Sequence, residues 1–69
     1  MVMAHERNRQ LRAAVDALPE HYRVVMFLFY FEELSVDQIS RTLSLTVSAV
    51  KVRLHRGRER LATRLTGML

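Results

Sequence analysis

The chain has 69 residues, a net charge of +4 and no cysteine. A chain of this length forms at most one small domain, and without cysteine it has no disulfide framework, thiolate zinc site or thiol nucleophile. Its longest apolar run, Val24–Phe31, is far shorter than the ~20 residues that a membrane span needs. Residues 1–10 are charged and lack the apolar core of a signal peptide. We therefore expect no membrane insertion.

The three histidines are scattered through the sequence, at His5, His21 and His55. No acid–base pair, metal-ligand spacing or phosphate-binding loop accompanies them. We expect no enzyme, no metal, no cofactor and no small-molecule substrate.

The positive charge is concentrated near the C-terminus. Residues 46–69 carry six lysines and arginines against one glutamate, a balance of +5, whereas residues 1–45 carry five against six acids, a balance of −1. Such asymmetry indicates contact with a polyanion. The alternative is a solvated face that arginines keep soluble.

Helical spacing of apolar residues predicts the first helix. Leu11, Val15 and Leu18 recur at intervals of three and four, which is typical of an amphipathic helix, here over residues 8–17. Residues 1–7 show no periodicity, and we expect them to form a flexible N-terminal segment.

A second helix is predicted over residues 19–32, with Pro19 in its first turn, where the missing N–H costs nothing. From Val24 to Phe31 this helix is apolar on every side, so it is buried all round or held against a partner. Both alternatives remain open: these side chains fill a tight core, or some form a protein interface. The candidate interface residues are Val24, Phe27, Phe29 and Phe31.

The third and fourth helices are predicted from their caps. Ser35 and Gln38 have the spacing of a capping box, in which each side chain satisfies a backbone N–H near the other. Thr46 is a plausible N-cap for a last helix over residues 46–65. Two helices joined by about three residues form a helix-turn-helix. The chain is therefore predicted to be an all-α domain of four helices with a C-terminal, winged-helix-like helix-turn-helix, and residues 66–69 are expected to fray.

The fourth helix is amphipathic. Its apolar stripe comprises Val47, Val50, Leu54, Gly57, Leu61 and Leu65, and the opposite face comprises Ser48, Val52, His55, Arg56 and Glu59. Cationic residues flank that face on both sides. A cationic helix with small and apolar groups near its N-terminal end suits the DNA major groove.

Three segments resemble region 4 of bacterial extracytoplasmic-function (ECF) sigma factors. They are Leu18–Val25 (LPEHYRVV), Glu32–Ile39 (EELSVDQI) and Val50–Arg58 (VKVRLHRGR). Each segment is moderately specific alone, and the three together in this order and spacing are strongly so.

The resemblance implies a cytoplasmic, bacterial promoter-recognition domain that reads the −35 element in double-stranded DNA. It also implies docking on the flap of RNA polymerase and regulation by an anti-sigma factor. Positions that match the family's base-reading residues are Ser48, Lys51, Val52, His55 and Arg56. Arg53 and Arg58 match positions that touch the DNA backbone or brace the helix, and Arg41 could reach a phosphate.

The sequence departs from the family pattern at two turns and inside the last helix. Glu33 stands where glycine is usual, which costs about 1–2 kcal/mol if the backbone there is left-handed; otherwise the turn differs. Ser44 also replaces a usual turn glycine, so the geometry of that turn is open as well. Gly57 stands inside the last helix where the family has a small residue, commonly alanine. Glycine costs about 1 kcal/mol of helix propensity there, and could permit a close backbone contact.

Two rival interpretations remain open. A LuxR-type response regulator shares the Leu-Ser-x-x-x-Ile and Thr-x-x-x-Val-Lys features, but the Leu-Pro-Glu start and the run of arginines favour the sigma family. Alternatively, the chain is a helical interaction module that binds another protein through Val24–Phe31.

Overall fold

The computed structural model describes the backbone of residues 2–67 and the side chains of residues 9–64. It has four helices, α1 (Val2–Asp16), α2 (Glu20–Tyr30), α3 (Val36–Leu43) and α4 (Val47–Gly67). This range contains helices and turns and no strand, which confirms the predicted all-α class. None of these helices is long and apolar enough to cross a bilayer.

Both ends of the chain are more helical than the sequence predicted. α1 begins at Val2 rather than at residue 8, so residues 2–7 are helical and not irregular. α4 continues to Gly67, which makes residues 66–67 helical as well. The rest of the expected frayed end, residues 68–69, lies outside the described residues. At the N-terminal end, methionine, alanine, glutamate and arginine have high helix propensity, which extends α1 beyond its apolar stripe.

The core lies where α4 crosses α2, the most extensive helix–helix contact in the described chain. Its centre is Met26 and Val50, both fully buried. The buried apolar residues come from all four helices and the α1–α2 turn: Ala14, Val15, Leu18, Tyr22, Val25, Met26, Ile39, Val50, Leu54 and Leu61. The predicted stripes of α1 and α4 therefore do face the core.

One stripe residue was predicted wrongly. Val47 remains 36% exposed, since it occupies the first turn of α4, at the end of the helix that leads into the helix-turn-helix loop. The side chain of Leu65 lies outside the described residues.

Gly57 permits the close approach of α4 to α2. A Cβ atom at this position would lie 3.0 Å from Met26 Cγ and 3.1 Å from Met26 Sδ. Because Met26 is fully buried, its side chain has little room to withdraw. The expected close contact at Gly57 is confirmed, and it offsets the helix-propensity cost.

Side-chain caps define the helix-turn-helix. Ser35 Oγ accepts from the Gln38 N–H at 3.1 Å, and Gln38 Oε1 accepts from the Ser35 N–H at 2.8 Å, so the predicted capping box is present. Thr46 Oγ1 accepts from the Ala49 N–H at 3.0 Å and caps α4. Both helix starts are therefore fixed by local sequence.

The turn between α3 and α4 is held by Ser40. Its carbonyl accepts the N–H groups of Ser44 and Leu45, and its hydroxyl donates to the Leu45 carbonyl. Ser44 has φ 55° and Glu33 has φ 57°, so both are left-handed, which decides between the alternatives left open for these turns. Each non-glycine residue stores about 1–2 kcal/mol at its turn.

Candidate nucleic-acid interface

The face of α4 opposite the core forms a continuous exposed surface, here called the recognition face. The core contacts of Val50, Leu54 and Leu61 fix the rotation of the helix about its axis. All five predicted base-reading residues are consequently exposed: Ser48, Lys51, Val52, His55 and Arg56. The structure thus brings these residues together on one side of one helix.

Val52 is an apolar side chain in the middle of the recognition face, and 47% of it is exposed. Leaving a valine in water forgoes its burial energy, of the order of 1 kcal/mol at half exposure. An apolar contact with a thymine methyl group would recover part of this energy.

His55 and Glu59 lie close together on the same face. His55 Nε2 lies 3.7 Å from Glu59 Oε1, and the two side chains are 74% and 65% exposed. Such an exposed pair contributes little to stability. It does place an acceptor beside the imidazole, a feature that the sequence analysis did not predict for Glu59.

Arg53 lies at the edge of the recognition face and is half-buried. It lines a depression of 340 Å³ with residues of the first turn of α2 and of the helix-turn-helix loop, among them His21 and Leu45. Arg41 is exposed in the last turn of α3. Both guanidinium groups therefore lie outside the centre of the recognition face.

Arg58 packs against α2, away from the recognition face. Its Nε–H donates to Tyr30 Oη at 2.7 Å, and its guanidinium lies 5.5 Å from the ring centre of Phe29. Of the two roles that the sequence offered for Arg58, these contacts are those of a brace between α4 and the end of α2. Its separation of 28 residues from Tyr30 hides this contact from any local sequence pattern.

The four predicted interface residues are Val24, Phe27, Phe29 and Phe31, and they do not share one side of the helix. Val24, Phe27 and Phe31, here called the aromatic face, lie on the side of Arg12 of α1, whereas Phe29 lies beside Arg58 of α4. All four are half-buried. Arg12 of α1 covers two of the rings, with its guanidinium 4.7 Å from the centre of Phe27 and 5.2 Å from that of Phe31. The helix is neither sealed in the core nor openly exposed, since arginines cover part of it.

One further arginine contact was missed from the sequence. The guanidinium of Arg60 lies 4.9 Å from the ring centre of the buried Tyr22. Within the described residues, no cluster of three or more histidine, aspartate or glutamate side chains could hold a metal ion.

Comparison with known protein families identifies the family of this four-helix domain. The model for "Sigma-70, region 4" matches residues 8–61, which is most of the chain and includes α2, α3 and most of α1 and α4. The chain belongs to the sigma-70 region 4 family. The resemblance predicted from the sequence is confirmed, and the match favours this family over the LuxR-type alternative.

Curated relatives of this region 4 domain are sigma factors. The chain is 39% identical over 64 residues to the ECF RNA polymerase sigma factor SigW of Bacillus subtilis strain 168, covering 93% of this chain and 34% of SigW. It is 41% identical over 51 residues to the ECF RNA polymerase sigma factor SigE of Mycolicibacterium smegmatis, covering 74% of this chain and 20% of SigE. The RNA polymerase sigma factor SigV of Bacillus subtilis is 31% identical over 62 residues, or 90% of this chain and 37% of SigV. The region 4 domain thus spans between a fifth and two fifths of these relatives.

Proposed function

We propose that this region 4 domain recognises the −35 promoter element for a bacterial ECF sigma factor, and so directs RNA polymerase to promoters for transcription initiation. The observation that carries the proposal is the exposure of Lys51, Val52 and Arg56 on one face of α4, opposite the side chains that anchor the helix. The domain acts by binding and not by catalysis.

Base recognition is assigned to the recognition face of α4. Arg56 and Lys51 donate to guanine O6 and N7, a pairing worth about 1–3 kcal/mol of discrimination. Val52 contacts a thymine methyl group, and His55 donates to a base edge or a phosphate. Ser48, near the N-terminus of the helix, donates to or accepts from a base.

Backbone contacts are assigned to cations beside that face. Arg53 and Arg41 bind phosphates at its edges, and these contacts set the register of the helix without reading sequence directly. Arg58 supports α4 from the opposite side, through Tyr30, and belongs to the frame rather than to the DNA contact.

Protein partners are assigned to the aromatic face of α2. The flap of RNA polymerase docks on Val24, Phe27 and Phe31, with Phe29 on the neighbouring side of the same helix, and an anti-sigma factor blocks this face, the recognition face or both. A helix whose apolar residues are only half-buried has surface left for such a contact. The sigma factor to which the domain belongs acts in the bacterial cytoplasm.

Selection of bound sequences from random duplex DNA by the immobilised chain tests base recognition. The wild-type chain should enrich one short motif, while Arg56→Ala should lose preference at one or two positions of it, by about 5- to 150-fold. Arg12→Ala removes an arginine from α1 instead and should enrich the wild-type motif. Failure of the wild-type chain to enrich any motif, or an identical motif from Arg56→Ala, would refute the assignment.

A further inference from the structure

Four arginines lie along one side of α4 and form the feature here called the arginine edge: Arg53, Arg56, Arg60 and Arg64. Their spacing of three, four and four residues places them on the same side of the helix. From Arg53 to Arg64 the edge is about 16 Å long, at 1.5 Å per residue.

A line of three depressions, here called the groove, follows the arginine edge. The first, of 340 Å³, lies between Arg53, α2 and the helix-turn-helix loop, and the other two, of 350 and 600 Å³, lie between α4, Tyr22 and the α1–α2 turn. The second and third share Glu59 and Arg60 in their walls, and Arg56 lies in the wall of the second. The groove is therefore continuous with the recognition face, to which Arg56 also belongs.

The groove is cationic. Four guanidinium groups lie on its α4 side, and His21 lies opposite Arg53. The acidic groups in its walls are Glu20, beside Arg53, and Glu59, which also lies 3.7 Å from His55. The arginines thus outnumber the carboxylates, and the groove attracts an anionic strand.

The contact with Tyr22 positions Arg60 to bind an anion. Its guanidinium lies on the ring of Tyr22, which is only 7% exposed and cannot move aside. The ring lies on one side of the guanidinium, which has five N–H donors, so donors remain available to phosphate oxygens. Among the described residues Arg60 has no ion-pair partner. Arg58, by contrast, has already donated its Nε–H to Tyr30.

We infer that the groove beside the arginine edge binds the phosphate backbone of one DNA strand, and that Arg60 contacts a phosphate outside the base-reading positions. The inference rests on the proposed function, because it needs a duplex on the recognition face. Each nucleotide of a strand carries one phosphate charge, so an edge of this length can meet more than one phosphate.

The alternative occupant of the groove is an acidic segment of a protein. DNA is favoured because Arg56 is shared between the two surfaces. A duplex whose base is read by Arg56 brings its own phosphates alongside Arg53 and Arg60.

The salt dependence of duplex binding by the whole chain tests the inference, with fluorescence anisotropy on a duplex of the selected motif and on a scrambled duplex. Removing one phosphate contact lowers the slope of log affinity against log salt by about 0.9. Arg60→Gln should show that change and lose the same factor on both duplexes. Between roughly 50 and 200 mM salt, the ratio of wild-type to variant affinity should fall about three- to fourfold.

Two matched variants control for charge and stacking. Arg12→Gln removes an arginine that also lies on aromatic rings, but on the far side of α2, and should keep the wild-type slope. Arg60→Lys retains the charge and should keep it too. Circular dichroism melting of each variant shows that it is folded.

A wild-type slope for Arg60→Gln, in a chain that still prefers its selected motif, would overturn the inference and leave the groove to an acidic protein segment. Failure of the proposed function would give another result: the wild-type chain would bind the selected motif and the scrambled duplex with equal affinity.

Discussion

The recognition face of α4 and the aromatic face of α2 were both predicted as interaction surfaces. In the structure they differ in exposure. The recognition face is exposed, and the described contact between its side chains is the weak His55–Glu59 pair. The aromatic face is half-buried, with Arg12 lying over Phe27 and Phe31.

This difference indicates how each surface meets a partner. Side chains of the recognition face can meet a duplex without breaking packing inside the domain. A partner of the aromatic face must first displace a guanidinium group, whose stacking is worth about 0.5–1 kcal/mol at an exposed site. We therefore expect DNA binding to tolerate changes on the aromatic face, and polymerase binding to tolerate changes on the recognition face.

The largest expected effect comes from the contact beneath both surfaces. Met26→Ala should destabilise the domain by about 2–5 kcal/mol, because Met26 is fully buried where α4 crosses α2. Thermal melting followed by circular dichroism measures the loss. Val52→Ala, on the recognition face, should stay within about 0.5 kcal/mol of the wild type. Similar losses for the two variants would contradict the assignment of core and surface.

The next effect separates the two partners. Phe27→Ala should weaken binding to purified core RNA polymerase by about tenfold or more, as expected for an aromatic anchor of an interface. The same variant should keep the wild-type preference for the selected DNA motif. Polymerase binding is measured by bio-layer interferometry at a temperature where the variant is folded. Unchanged polymerase binding would remove the aromatic face from the proposed partner contact.

A smaller effect is expected for Arg58, which braces α4 against the end of α2. Arg58→Ala should cost about 1 kcal/mol of stability, since it loses one hydrogen bond and ring contacts at a partly exposed site. Arg58→Lys should lose most of the same energy, because an ammonium lacks the planar fork. Discrimination between DNA motifs should persist in both. Loss of discrimination in a fully folded Arg58→Lys domain would mean that Arg58 reads DNA.

The smallest effect concerns the two left-handed turns and has the opposite sign. Glu33→Gly and Ser44→Gly should each stabilise the domain by about 0.5–1 kcal/mol, after the greater freedom of glycine in the unfolded chain is subtracted. Urea denaturation measures both. Glu33→Ala and Ser44→Ala keep a Cβ and should show no such gain. A loss on glycine substitution would show that the Ser44 or Glu33 side chain stabilises its turn.

Local chemistry made the helix-turn-helix predictable. The side chains of Ser35, Gln38 and Thr46 each accept a hydrogen bond from a backbone N–H three residues away. Spacing along the chain was therefore enough to place the starts of α3 and α4. The same holds for the recognition face, because helical periodicity fixes which side chains oppose Val50 and Leu54.

Contacts between distant residues were not predictable. Arg58 with Tyr30, Arg60 with Tyr22 and Arg12 with Phe27 each join two helices, and no spacing in the sequence distinguishes these arginines from solvated ones. The start of α1 was misplaced for another reason: residues 2–7 continue the helix on propensity, without an apolar stripe to mark them.

The most direct measurement of the central claim is a titration of the isotopically labelled chain with the selected duplex, followed by nuclear magnetic resonance. The account predicts that the largest amide shifts fall on Ser48, Lys51, Val52 and Arg56, with little change at Phe27 and Phe31. Shifts concentrated on α2, with the exposed face of α4 unaffected, would contradict it.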